Sequence, residues 1–462
     1  MSSWRTVRGP LTLAVTYALT LLLWGAARPL QVWFADTRTT LDALGVACGL
    51  TGATAFAANV ILGGRIPILD RWFGGLEAMY RTHRANGKIA YTLILLHVAL
   101  IVAGNATMST SAALGLFSPS AGKVVWFGIV AFVGMTLAIG ATLYLRLSHE
   151  VFVYVQRTFG IIFGIAAFHV LLTMGAKASS RPLTIYLWLL TALALAAFFY
   201  RSLLGDVLVR RHEYIVTTAR ELDPHVMEIS MRPVREHISR KPGQFIFATF
   251  YSDEFEAQFH PVSVSPDRRH PSATIVLRPG DVRNQFHPFS LTSAPDDPEL
   301  KLAVKAVGSF TRALHRLKPG AIARIEGPYG EFSHLNMPPG EQVWIAGGIG
   351  ITPFLSMARS LEDDRYRVHL FYGVKNRAEA YFWDDLREIS ARVPSFEATL
   401  VPEDEEGFIT AARVVGTDAA STDFLICGPP AMVEALSRGL LGAGVPDARV
   451  HGERFGFGPR SS

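Results

Sequence analysis

Three histidines stand where histidine is costly. His83 and His97 begin and enter one long apolar run, and His169 lies deep in another, among Leu, Ile, Val, Ala and Phe. Ligand-type side chains inside apolar spans are functional candidates by default. Imidazoles from two neighbouring helices can supply both axial ligands of a haem iron. Thirteen residues separate His83 from His97. On a helix that spacing is roughly 40° short of four full turns, so both face one way, roughly 21 Å apart along the axis. His83 also has a plainer reading, as an interfacial residue between Arg81 and Arg84.

A second chemistry is written in glycine. The run Gln342–Ala346 leads into Gly347-Gly348-Ile349-Gly350-Ile351-Thr352-Pro353, followed by a helical pattern from Phe354 to Leu361. A glycine-rich strand-to-helix turn lets backbone amides and the helix start approach a pyrophosphate. It is not the full G-x-G-x-x-G fingerprint. A second strand end, Asp423–Ile426, runs into Cys427-Gly428-Pro429-Pro430. Cys427 alone reads as packing. Lys375 and Arg377 follow the next strand, where a cation either pairs with a 2′-phosphate, favouring NADPH, or stands as a solvated loop charge.

A third group is His287-Pro288-Phe289-Ser290-Leu291-Thr292-Ser293, then a strand carrying Lys305, then Gly308 to Thr311. Ser290 and Ser293 can donate to the edge of an isoalloxazine. Lys305, Gly308 and Thr311 can form a cation and amide cluster for a pyrophosphate.

The elements that must position these groups divide sharply. Half of the 462 residues are hydrophobic, but Leu11 to about Leu204 is a series of apolar runs, whereas the chain from Arg210 onward has charges, turns and short strands. Six runs are long enough to cross a bilayer: Leu11–Ala27, Leu41–Leu62, Ile89–Ala103, Val124–Leu145, Val151–Met174 and Leu183–Leu204. The third is short unless it starts near His83. The first follows Arg5 and Arg8 as a signal peptide would, but without a cleavage site, and is read as a retained helix. Arg5, Arg8, Arg65, Arg71, Arg81, Arg84, Lys88, Arg146, Arg157, Arg210 and Arg211 collect on one side. Arg28, Arg38, Lys123, Lys177 and Arg181 fall on the other, so the richer side, with both termini, is the cytoplasm. The net charge of +5 comes partly from these flanks, which argues against nucleic-acid binding. Two cysteines, Cys48 and Cys427, give no disulfide framework.

In the polar half, Tyr214–Ala219, Met227–Met231 and Gln244–Phe250 suit a small antiparallel barrel. Later strands, Arg367–Gly373 and Phe396–Val401, alternate with helical segments such as Tyr381–Ala391, which means a parallel sheet with helices on both faces. Phe259-His260-Pro261-Val262-Ser263 anticipates Phe286-His287-Pro288-Phe289-Ser290 at an offset of 27, placing Arg278 opposite Lys305. Either a tandem duplication or chance similarity between β segments accounts for it; only the second copy runs on into Thr311.

Arg81-Thr82-His83-Arg84, with His97 downstream, resembles the third span of the ferric reductase and NADPH oxidase superfamily. That resemblance implies two histidines from the third span and two from the fifth, binding two stacked b haems. The fifth-span pattern would be an aromatic-Glu-x-Phe stretch, a His-Arg pair and a later His. Here Glu150-Val151-Phe152 is followed by Gln156-Arg157 and then His169. The implied outer pair is His97–His169, holding one haem b. The inner pair would be His83 with Gln156, and glutamine is not a usual haem ligand, so the second haem stays open. His149 lies seven residues before Gln156, roughly 10 Å nearer the cytoplasm, and substitutes poorly.

The rest of the chain carries the same resemblance. His287-Pro288-Phe289-Ser290 is similar to the H-P-F-[ST] signature for FAD, and Gly327-Pro328-Tyr329-Gly330 to the turn closing that flavin domain. Gly347 to Pro353 resembles the G-G-x-G-x-[TA]-P turn of ferredoxin-NADP⁺-reductase-like domains, and Cys427-Gly428-Pro429 their nicotinamide-side loop. Phe455 in the tail resembles the aromatic that shields the flavin, with Phe457 as alternate. The expected architecture is a six-helix transmembrane bundle over 1–209, an antiparallel β-barrel flavin domain over 210–337 and an α/β parallel-sheet NAD(P)-binding domain over 338–462. The implied protein is a multi-pass oxidoreductase of the cell (inner) membrane. It would pass electrons from cytoplasmic NADPH or NADH through FAD and haem b to ferric chelate or dioxygen, or serve as a donor subunit for a partner redox protein or quinone. A haem sensor without turnover is disfavoured by the complete nucleotide and flavin motifs.

Overall fold

The computed structural model describes residues 2–27, 29–145, 149–176, 180–205, 209–251, 286–362, 364–416 and 418–454. The chain forms two compact units, one ending at Val209 and the other beginning at Arg210.

Among its described residues the first unit carries six helices long and apolar enough to cross a membrane. They are α1 (Ser2–Gly25), α2 (Thr37–Gly63), α3 (Leu76–Ala106), α4 (Lys123–Tyr144), α5 (His149–Ala176) and α6 (Arg181–Phe198). The third apolar run is short because its helix begins well before it: α3 runs 31 residues from Leu76 and carries both His83 and His97. In a bilayer the backbone must satisfy itself, and small residues let helices close up. Along α2, methyl groups added at Gly45 and Gly52 would lie 3.0 Å and 2.9 Å from Ile101 and Ile94 of α3. Close approach there depends on the absence of a side chain. A polar knot ties α1 to the same two helices. Tyr17 donates to the Asn86 side chain, whose amide reaches the Ala55 carbonyl at 2.9 Å and Asn59 Oδ1 at 3.1 Å.

Among the described residues the second unit contains two sheets. In the first, strands β1 (His212–Asp223), β2 (Val226–Pro233), β3 (Phe245–Tyr251), β4 (His287–Ser290), β5 (Leu300–Lys305) and β6 (Ile322–Tyr329) lie in the order β4-β3-β6-β1-β2-β5. Every pairing is antiparallel. Among the described residues the ladder runs from β4 to β5. Its two edges meet at one bridge, Leu291 to Leu302, continued by the Thr292 N–H donating to the Lys301 carbonyl at 2.9 Å. Tyr214, Ile229, Met231, Ile246 and Leu302 fill the interior.

The second sheet is parallel, in the order β11-β10-β7-β8-β9. Its strands are β7 (Gly340–Gly347), β8 (Tyr366–Val374), β9 (Phe396–Pro402), β10 (Asp423–Gly428) and β11 (Val450–Arg454). The helices between them are α7 (Ile351–Arg359), α8 (Trp383–Arg392) and α9 (Pro430–Gly442). The chain starts at β7, adds β8 and β9 on one side, then returns to lay β10 on the other. That reversal makes a crevice outside the carboxyl ends of β7 and β10, where such sheets bind ligands.

Candidate functional site

In the first unit, the fold brings His97 of α3 and His169 of α5 face to face. Their ring centroids are 6.4 Å apart and the planes are tilted by 60°. With each metal–nitrogen bond about 2 Å long, an imidazole–iron–imidazole axis also sets ring centres about 6 Å apart. Each ring is tied at its other nitrogen: His97 Nδ1 donates to the Gly45 carbonyl and His169 Nδ1 to the Val124 carbonyl, both at 2.8 Å. A carbonyl only accepts, so Nδ1 carries the proton and Nε2 keeps the lone pair a metal needs.

Each ring also has a place cut for it. A methyl group at Gly49 would lie 2.7 Å from His97 Nδ1, and one at Gly128 would lie 2.9 Å from the His169 ring. Among the described residues no group of three His, Cys, Asp or Glu side chains could hold a metal ion. Two opposed imidazoles, each proton-fixed at Nδ1 by a carbonyl, are a donor set that would hold a haem.

His83 repeats half of this arrangement. Fourteen residues on from Gly45 and Gly49 along α2 stand Asn59 and Gly63. The His83 ring lies beside the Asn59 backbone, and a methyl at Gly63 would be 3.9 Å from it. Among the described residues its Nδ1 is buried without a hydrogen bond of ordinary geometry. Across from it the arrangement is not repeated. Gln156 on α5 is exposed, and thirteen positions on from Gly128 stands Ala141, not glycine.

In the antiparallel sheet, β4 places His287, Pro288, Phe289 and Ser290 alongside β3, with Ser290 opposite Phe245. His287 stacks on Phe310 at 3.9 Å between centroids. Ser290 and Ser293 are buried, as is Thr292, whose hydroxyl has no partner among the described residues. Ser293 Oγ accepts from the Lys301 N–H at 3.2 Å, so that hydroxyl holds the edge bridge. Lys305 ends β5 opposite Val226. The Thr311 hydroxyl accepts from the Val307 and Gly308 amides, both at 2.9 Å, and closes the turn around them. Phe455, Phe457, Arg278 and the whole 259–285 repeat lie outside the described residues.

The two glycine turns of the parallel sheet come together. Gly347 ends β7 and Gly428 ends β10, and Cys427 pairs with Ala346. A methyl group at Gly350 would lie 2.3 Å from the Cys427 carbonyl oxygen, and one at Gly428 would lie 3.2 Å from the Gly347 Cα. Gly348 adopts φ +53, a left-handed conformation that favours glycine. Thr352 and Pro353 are buried in the first turn of α7, and the Thr352 hydroxyl donates to the Ile349 carbonyl at 3.1 Å. Pro429 sits just before α9, and Cys427 is fully buried in the core. Helix α7 is joined to the flavin-motif loop: Ser356 donates to the Ser293 carbonyl at 2.7 Å and Arg359 to the Thr292 carbonyl at 2.8 Å. Arg377, in the turn after β8, binds Glu405 with both arms of its guanidinium at 2.8 Å.

Sequence reasoning missed Gly49, Gly128 and the carbonyls of Gly45 and Val124. Their signal was present as glycines four residues beyond those carbonyl positions in two spans. It also missed β11, which lies in the tail read only for its aromatics.

Comparison with known proteins places two matches on this chain. Residues 48–167 match the ferric reductase like transmembrane component, and residues 344–438 match the oxidoreductase NAD-binding domain. The ferredoxin–NAD(P)(+) reductase component of the naphthalene 1,2-dioxygenase/salicylate 5-hydroxylase systems of Ralstonia sp. is 30% identical over 210 residues, 42% of this chain and 61% of that protein. The reductase component of phenol 2-monooxygenase from a Pseudomonas species is 32% identical over 36% of this chain and 52% of its own length. The chain thus spans between about half and just under two thirds of these relatives. The flavohem-like FAD/NAD-binding domain of a Vibrio cholerae nitric oxide dioxygenase aligns with 53% of this chain and 98% of its own, at 20% identity and a TM-score of 0.42.

Proposed function

We propose that this multi-pass membrane oxidoreductase, which joins a ferric-reductase-like transmembrane component to a ferredoxin-reductase-like flavin and NAD(P)H module, moves electrons from cytoplasmic NAD(P)H through FAD and haem b to an acceptor at or across the membrane. The acceptor is a ferric chelate or dioxygen. The observation that carries this reading is the opposed pair His97–His169, with both Nδ1 atoms held by carbonyls on neighbouring helices.

The chain's residues divide the work. Gly348 leaves room at the start of α7 for a pyrophosphate, while Gly347 and Gly350 let the two glycine turns close up. Cys427, Gly428 and Pro429 form the nicotinamide side of the crevice. His287 to Ser293, with Lys305, would hold FAD, and Ser356 and Arg359 fix that loop to α7. His97 and His169 would hold the haem; His83 faces Gln156 rather than a second histidine in the family pattern. Flavin supplies the step-down between a donor of electron pairs and a one-electron iron. Both termini lie in the cytoplasm of the cell (inner) membrane, on the reading of the basic loops.

A second reading makes the chain a donor subunit for a partner redox protein or quinone. It is favoured by the two relatives that are named as reductase components. One experiment separates the two. Purified protein is scanned reduced minus oxidised with haem quantitation, then assayed for NAD(P)H oxidation with Fe(III) chelate, oxygen and quinone. A low-spin haem spectrum and turnover with chelate or oxygen are expected. Turnover with quinone alone favours the donor reading, and a haem-free protein ends both.

A further inference from the structure

The turn after β8 and the segment after β9 carry opposite charge and are locked together. Arg377 Nε and Nη2 reach Glu405 Oε1 and Oε2, each at 2.8 Å. The short helix Glu403–Glu406 brings four carboxylates in succession. The Asp404 N–H donates to the Lys375 carbonyl at 3.2 Å, which pins this acidic segment beside the basic turn. Glu406 is held by Arg413 at 2.6 Å. Gly347 and Gly373 are in register on adjacent strands, so the Arg377 turn leaves the sheet one strand away from the glycine turn.

That location has a meaning in a doubly wound sheet. With the pyrophosphate at the glycine turn, the adenosine ribose lies toward the carboxyl end of the next strand. An acid there accepts from the ribose 2′-hydroxyl of NAD, and a free arginine there receives the 2′-phosphate of NADP. Here the arginine is present but both arms of its fork are engaged by a carboxylate. The guanidinium holds the Glu405 carboxyl below its ordinary range, so it is ionised at any pH near neutrality. An exposed pair of this kind is weak, and the Arg377 side chain can swing away. What does not move away is the charge. A dianionic 2′-phosphate entering this turn meets Glu405, with Glu406 and Asp404 adding negative charge beside Arg377.

We propose that the chain is selective for NADH, and that Glu405 is the specificity-determining residue: it neutralises Arg377, repels a 2′-phosphate and offers an acceptor to a ribose 2′-hydroxyl. The proposal rests on the NAD(P)H reading of the parallel sheet.

The test uses the full chain purified in detergent, with NADH and NADPH as alternative donors and ferricyanide as acceptor. The wild type is expected to show kcat/KM for NADH roughly tenfold or more above that for NADPH. Glu405→Gln is expected to narrow that ratio by roughly tenfold, mainly through a lower KM for NADPH. Raising the salt should narrow the wild-type ratio as well, because exposed charges are screened. Equal or better use of NADPH by the wild type overturns the proposal, as does an unchanged ratio in Glu405→Gln. If neither nucleotide is oxidised, the NAD(P)H reading itself fails and the proposal goes with it.

Discussion

His97 and His169 face one another from two helices, 6.4 Å between ring centroids, and each is held from behind by a backbone carbonyl at 2.8 Å. The two carbonyls fix the tautomer and the ring plane before any metal arrives. His97→Ala or His169→Ala should therefore abolish the low-spin haem spectrum. NAD(P)H-to-dye activity should remain, because the flavin and nucleotide motifs lie in a separate compact unit. Gly128→Val should act in the same direction without touching a ligand, since even a methyl there sits 2.9 Å from the His169 ring. Unchanged haem content in both histidine variants would remove the ligand assignment.

The nucleotide crevice depends on two turns whose backbones touch. A methyl at Gly350 would lie 2.3 Å from the Cys427 carbonyl oxygen, and that oxygen belongs to β10, which is paired on both sides, with β7 and β11. Gly350→Ala should cost about 1–3 kcal/mol by overpacking. It should also raise the KM for the nicotinamide nucleotide by parting the two loops. Thermal unfolding together with steady-state kinetics checks both. A variant with wild-type KM and stability would mean that the turns are not coupled as the geometry indicates.

Much of this was legible in the sequence because the physical signals were strong. Long apolar runs specify spans, and Gly347 to Pro353 can hardly be read except as a tight strand-to-helix turn. What was not legible depended on partners far away in the chain. Gly49 and Gly128 look like ordinary small residues until His97 and His169 are laid beside them. The third span read short because Arg81, Arg84 and Lys88 interrupt its apolar pattern, although its helix continues through them. Strand β11 was missed because a lone five-residue segment gains its stability only from pairing with β10. Arg377 showed its charge in the sequence, but not that Glu405, 28 positions on, would take up both of its arms.

Lys305 closes β5 next to the Gly308–Thr311 turn. Lys305→Ala should weaken FAD retention by about 1–3 kcal/mol, the usual range for a hydrogen bond to a charged group. Flavin content after gel filtration, with and without added FAD, measures it. Arg278, the counterpart of Lys305 in the repeat, should have little effect when replaced. If Arg278→Ala strips the flavin and Lys305→Ala does not, the first copy is the flavin strand.

The last prediction concerns how many haems the bundle holds. His83 stands beside Asn59 and Gly63 of α2, fourteen residues on from the Gly45 and Gly49 that flank His97, though a methyl at Gly63 would be 3.9 Å from its ring where one at Gly49 would be 2.7 Å from that of His97. The opposite wall does not match: Gln156 stands thirteen residues before His169, and Ala141 stands thirteen after Gly128. An inner site built on one imidazole and an amide should not retain haem. The wild type is therefore expected to carry one haem per chain. Along α3 the two positions are separated by roughly 21 Å of helix rise, so leaving the inner one empty lengthens the route to the outer pair. NAD(P)H-driven haem reduction in the isolated protein should accordingly be slow. Gln156→His should raise haem content and speed that reduction. Adding Ala141→Gly should raise it further, towards two, because a ring at position 156 then gains the clearance that Gly128 gives His169. Pyridine haemochromogen assay against protein concentration gives the ratio, and stopped-flow absorbance gives the rate. Two haems per wild-type chain would refute the single-haem expectation and make Gln156 or His149 the ligand opposite His83.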